Sequence, residues 1–254
     1  MRLVKNSMKP LIGIFFVALL IGCTLICVSC YWISINTGIK NKIEIWITGC
    51  KIVDFFFPLL VTAPFTWSLY IKRKNGFIEY VGMREKKKRY ILAEILGGVI
   101  FAGILACCIY CIGLVFSLFI FEPQIKVEQD RLAFYLFGQY QVNQPFIFGV
   151  LWSLWKGIVA MILCIFGYEL SLTVERIFVV VLGPFLYCTL ENFITGILGL
   201  EQYSVCTSYI LNRLSPESMD VYYLFLGLLI MEIGMFAFFL VFRAKEKEVS
   251  KCFP

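Results

Sequence analysis

Six long apolar runs separated by shorter polar segments set the pattern of this chain: residues 11–35, 52–71, 95–121, 146–168, 177–200 and 223–242. A helix rises 1.5 Å per residue, so about 20 apolar residues cross the ~30 Å hydrocarbon core of a bilayer. Every run reaches that length. The pattern predicts an all-α fold, a polytopic membrane helix bundle of six spans forming a single transmembrane domain over 1–254. The first run is longer than the apolar core of a secretory signal and has no small-residue cleavage site after it, so it reads as an uncleaved span.

Punctuation inside the runs refines the picture. Pro58 and Pro64 predict a bent second helix. Gly98, Ala102 and Ala106 recur at four-residue spacing and make a smooth strip against which another helix can pack closely. Gly183–Pro184 predicts a break in the fifth run. Between the runs, Asn36–Lys51 reads as a modest loop and Glu122–Pro145 as a polar stretch followed by an aromatic one. That aromatic part, LAFYLFGQY, has the character of a short interfacial helix. Glu169–Arg176 reads as a tight turn and Glu201–Tyr222 as a loop turning at Ser215–Pro216.

The segment Lys72–Glu94, KRKNGFIEYVGMREKKKRYILAE, stands apart from the other connections. It holds eight of the 23 lysines and arginines, and Phe77, Ile78, Tyr80 and Val81 make an apolar side ahead of Gly82. The expectation is a short helix, a turn and a charged entry to the third span. Cationic loops stay on the cytoplasmic side of a membrane. Placing this loop and both termini there leaves sixteen lysines and arginines inside, six outside, and Lys156 within a span. This predicts a multi-pass protein of the cell membrane with both termini cytoplasmic.

Composition agrees with that solvent. The chain is 60% hydrophobic and 16% charged, with mean hydropathy +0.85, whereas soluble domains carry about 25% charged residues. The net charge of +6 comes mostly from the basic loop and the termini, so it is not a nucleic-acid footprint. Contact with anionic lipid accounts for part of it.

Candidate chemistry is sparse. Histidine is absent, which removes His-ligated haem, His-based zinc hydrolysis and any Ser/His or Cys/His nucleophile pair. Four ionisable residues fall within the runs: Asp54, Lys156, Glu191 and Glu232. A charge at the bilayer centre costs at least ~2.5–3.5 kcal/mol, so such residues pair or face water. Lys156 and Glu232 both come out roughly 15 Å deep. The expected arrangement is a structural pair of Lys156 with Glu232 or Glu191, and the rival is a lining for a substrate path. Ser153 and Lys156 match S-x-x-K, a spacing common by chance in helices. Cys27 and Cys30, with Cys107, Cys108 and Cys111, offer thiols for a thiophilic metal, but packing is the simpler reading. Cys50 and Cys206 are placed to pair near the outer face. No metal or cofactor site is expected.

The basic segment carries a resemblance. Gly76–Glu94, the turn at Glu169–Arg176 and the Gly183–Pro184–Phe185 break resemble the membrane subunit of ABC transporters of the type-2 exporter-like family, of the Gram-positive bacterial kind. The resemblance implies six spans and a coupling helix between spans two and three. Phe77, Ile78, Tyr80, Val81, Gly82 and Arg84 would dock an ATP-binding cassette subunit. ATP and Mg would be held by that partner, since G-x-x-x-x-G-K-[ST] is missing here. It further implies a second permease copy or a related permease, and a peptide, drug or lipid-like substrate. The outer segment Glu122–Pro145 departs from the family by its length. The other functional class is a non-transporting sensor or scaffold that recruits a cytosolic partner through the basic loop. An intramembrane enzyme would have only the S-x-x-K spacing to rest on.

Overall fold

Inside a bilayer no water is at hand for backbone N–H and C=O groups, so long apolar runs satisfy them internally as helices. The computed structural model describes residues 2–37, 39, 41–83, 86–121, 135–214 and 220–252, with side chains between Leu11 and Leu240. The helices are α1 (Arg2–Asn36), α2 (Lys42–Lys74), α3 (Phe77–Gly82), α4 (Lys87–Val115), α5 (Gly138–Asn143), α6 (Pro145–Thr173), α7 (Ile177–Ile197), α8 (Val205–Tyr209) and α9 (Tyr223–Cys252). Among the described residues there is no strand. Six of the helices are long and apolar enough to cross a bilayer, so the chain is an all-α, multi-pass membrane protein.

Burial separates the six into two groups. The central apolar windows of α2, α4 and α6 are 61%, 44% and 50% buried, whereas those of α1, α7 and α9 are 22%, 17% and 28% buried. The first three form the centre, and the others lean on it with one face and turn the rest outward. The centre interlocks Phe57, Val61 and Phe65 of α2 with Ala102, Leu105 and Ala106 of α4 and Val159, Ala160 and Leu163 of α6.

The α4–α6 seam is the most extensive in the bundle, and small residues explain it. A Cβ added to Gly103 would stand 3.2 Å from the Gly157 carbonyl oxygen, and one on Gly157 would stand 3.1 Å from that of Gly103. Gly98 lies beneath the hydroxyl of Tyr168, and Ala102 and Ala106 are fully buried. The small strip therefore packs against α6.

Several boundaries differ from the sequence reading. The expected loop 36–51 is mostly helix, because α2 begins at Lys42. Ile43, Ile45, Trp46 and Ile47 are buried, and Ser117 donates to the Lys42 carbonyl oxygen at 2.7 Å, tying the helix start to α4. Ser117 sits in a π-helical turn, Phe116–Ile120, that closes α4. The third span starts at Lys87, so the cationic run 87–89 is its first turn. The fourth continues to Thr173, which shortens the turn before α7 to Val174–Arg176. No break occurs at Gly183–Pro184, where α7 runs through with Pro184 buried. Within α2, Pro58 and Pro64 are likewise carried inside a continuous helix.

The segment after α7 is the largest surprise. A 3₁₀ turn, Glu201–Tyr203, leads into α8, all five of whose residues are buried. Trp155 of α6 donates to the Ser208 carbonyl oxygen at 2.7 Å, and Gly227 of α9 lies directly on the Ser204 carbonyl. Short irregular backbone of this kind is tolerated away from solvent because protein surrounds it. Of the aromatic stretch ahead of α6 only Gly138–Tyr140 enter a helix, α5, while Tyr135–Phe137 turn into it and 122–134, like the expected Ser215–Pro216 turn, lie outside the described residues. The buried Gln141 of α5 exchanges hydrogen bonds with Asn212, just after α8.

Candidate functional site

Asp54 and Lys156 meet at the centre of the bundle. Lys156 Nζ lies 2.5 Å from Asp54 Oδ1, and the two side chains are 1% and 2% exposed. Tyr110 of α4 donates its hydroxyl to the same Oδ1. The ammonium also sits 3.8 Å from the Tyr110 ring centroid, a cation–π contact strengthened by desolvation. One residue each from α4 and α6 thus converges on a single carboxylate oxygen of α2.

A wall of aromatic rings closes the cluster. Phe57 packs edge-on to Tyr110 at 5.9 Å between centroids and against Tyr209 of α8 at 4.9 Å. Trp46 donates to the Tyr110 carbonyl oxygen at 3.2 Å. The Tyr209 hydroxyl is 3.1 Å from Cys206 Sγ. Taking two ions out of water costs several kcal/mol each, repaid only by close geometry and extra hydrogen bonds. Here the tyrosine supplies both a donor and a ring. The cluster fixes the relative height of the three central helices.

The anticipated partners of Lys156 are elsewhere. Glu191 accepts from Ser204 Oγ at 2.9 Å, and Ser204 in turn accepts from Arg213 at 3.2 Å, in a network where α7 meets α8. Glu232 Oε1 is buried without a hydrogen-bond partner. The pairing of Lys156 with Glu232 or Glu191 is therefore corrected to Asp54. The S-x-x-K spacing does not make a nucleophile pair either, since the buried Ser153 hydroxyl donates to the Gly149 carbonyl oxygen at 2.7 Å. Cys50 and Cys206 are both free thiols. Among the described residues no group of three or more His, Cys, Asp or Glu is arranged to hold a metal.

The second cluster lies where α2 ends. Glu94, fully buried on α4, accepts from Lys72 Nζ at 2.5 Å and from Ser68 Oγ at 3.3 Å. Arg73 and Tyr70 donate to the carbonyl oxygens of Val174 and Glu175 in the α6–α7 turn. Two of the eight cations of the basic segment therefore hold the bundle together. Lys74 and the run Lys86–Arg89 remain exposed.

Between these anchors the chain turns at Gly76, whose φ of 69° favours glycine, and enters α3. Ile78 is 8% exposed and points into the core, so it is not part of an outward docking face. Phe77, Tyr80 and Met83 are 48%, 68% and 75% exposed. Val81 is half-buried, and Gly82 ends the helix. Arg84 lies outside the described residues. Phe77 keeps one edge contact with Tyr90, at 6.2 Å. The outward face is thus two aromatic rings and a methionine beside a row of cations.

Tyr110, Tyr209 and α8 were not legible as site residues. Tyr110 reads as one more apolar-run aromatic, and α8 as part of a polar loop. The one usable signal was the run SVCTSYI, Ser204–Ile210, which carries no charge. Compared with family models, characterised proteins and solved structures, the chain matches none.

Proposed function

We propose that this chain is the permease subunit of an ABC transporter of the type-2 exporter-like kind, acting in the cell membrane with both termini cytoplasmic. It moves a peptide, drug or lipid-like substrate using ATP hydrolysed by a separate subunit, and it works as a pair with a second permease. The observation that carries this reading is α3: a six-residue helix between two spans, seated by Ile78 and offering Phe77, Tyr80 and Met83 beside exposed cations. Such a surface suits an apolar socket with an acidic rim on a soluble partner.

The connections around α3 give the proposed coupling a load path. Displacing α3 pulls on α2 through Gly76. The Lys72–Glu94 pair carries α4 along, and Arg73 and Tyr70 carry the α6–α7 turn. Motion at the basic end therefore reaches the three helices that meet at Asp54, Lys156 and Tyr110. The partner holds ATP and Mg; this chain transmits their effect.

The test is capture of the tagged chain from detergent-solubilised native membranes, followed by ATPase assay of the complex. The Phe77→Ala/Tyr80→Ala/Met83→Ala variant should keep its folding and lose stimulated ATPase activity. Unchanged stimulation in that variant removes α3 as the docking element. Capture of a partner without an ATP-binding cassette would instead favour the sensor or scaffold reading.

A further inference from the structure

We infer that the crevice between α6, α7 and α9 binds a cationic amphiphile, a hydrophobic body bearing one amine or quaternary ammonium charge. The cavity is about 340 Å³, at the small end of ligand-sized pockets. Its lining is almost wholly apolar and includes Phe166, Tyr187, Met231 and Met235, yet Glu169 contributes a carboxylate to it. Phe166 and Tyr187 pack edge to face at 5.3 Å and present an aromatic corner.

Glu232 stands on α9 between the lining residues Met231 and Gly234, with Oε1 buried and unpartnered. Its own side chain does not line the crevice, but it shares α9 with the lining residues Met231, Gly234 and Met235. One carboxylate lining an apolar crevice, with a second on the helix that walls it, favours a positive charge there. No lysine or arginine lines the crevice among the described residues. Aromatic faces attract ammonium ions, and methionines adapt to varied hydrophobic bodies. An anionic lipid is disfavoured by both carboxylates, and a neutral acyl chain gives them no partner.

The amphiphile's role as cargo rests on the permease reading, but its binding does not. The full chain is reconstituted in phosphatidylcholine nanodiscs without any ATP-binding subunit, so failure of either idea leaves the other testable. The probes are dodecyltrimethylammonium carrying a diazirine and the matched uncharged dodecanol diazirine, with labelled peptides mapped by mass spectrometry. The cation should label residues 231–239 saturably. At sub-saturating probe, Glu169→Gln/Glu232→Gln should cut labelling by at least ~10-fold, while the alcohol labels weakly and is unaffected. A second variant, Met235→Trp, fills the crevice, keeps both carboxylates and should block labelling by the cation. Equal labelling by both probes, or full labelling of the double glutamine variant, overturns the proposal and leaves an ordinary lipid-filled seam.

Discussion

Replacing Lys156 with Met tests the central cluster most directly. The substitution is nearly isosteric, so the main loss is the ammonium. Asp54 keeps the Tyr110 hydroxyl but loses its counter-ion, at a site where the carboxylate is 2% exposed. Removing one partner of a buried ion pair costs ~3–5 kcal/mol, because a charge is left buried alone. An ordinary interhelical hydrogen bond in a membrane is worth only ~0.6 kcal/mol on average. The ion term should therefore dominate the hydrogen-bond term. Asp54→Asn should cost a similar amount by stranding the ammonium. The double variant Asp54→Asn/Lys156→Met removes both charges and should return to within ~1–2 kcal/mol of the parent, since neutral replacements of buried pairs are often tolerated. Steric-trap unfolding in bicelles gives the four free energies and their coupling. Additive costs in the double variant would refute the argument, because they would mean that the two groups do not share one interaction.

The remaining predictions concern packing and thiols. Gly227→Ala should destabilise the fold by at least ~1–3 kcal/mol, since its Cβ would lie 2.5 Å from the Ser204 carbonyl oxygen, which is backbone and cannot swing away; the readout is thermal unfolding in detergent. Gly98→Ala should also destabilise, but Tyr168→Phe should recover part of the loss, because the atom in the way is the Tyr168 hydroxyl. Lys72→Met should cost more than Lys72→Met/Glu94→Gln, by ~2–3 kcal/mol, as the single change strands a fully buried carboxylate. Burial pushes the Cys206 thiol above its ordinary range, so maleimide should leave it unmodified in the native protein. Both Cys50 and Cys206 should react after denaturation without any reductant, a result that mass mapping can check.

Long apolar runs announced six helices because a bilayer leaves the backbone few alternatives. The short helix α3 was visible for a local reason: Gly76 separates it from α2, and the apolar Phe77, Ile78, Tyr80 and Val81 precede Gly82 while a dense charged run follows it. The partner of Lys156 was misread through one boundary. Counting from residue 52 puts Asp54 at a helix end, but α2 begins at Lys42, so Asp54 is twelve residues in. Lys156 is eleven residues past Pro145, the start of α6, which makes the two level. Hydropathy could not find that start, because Lys42, Glu44 and Lys51 dilute the average while Ile43, Ile45, Trp46 and Ile47 bury. The buried α8 escaped for a related reason, since five residues are too few for any periodic signal.

Proline at position 58 has no N–H to offer the carbonyl four residues earlier, and that carbonyl belongs to Asp54. The backbone rung is therefore missing at the very residue whose side chain clasps α4 and α6. A rod lacking a rung yields there before it yields in its intact stretches. Leverage applied at the Gly76 end would swivel the carboxylate against its ammonium rather than translate the whole helix, giving the bundle a joint where its three innermost struts are riveted.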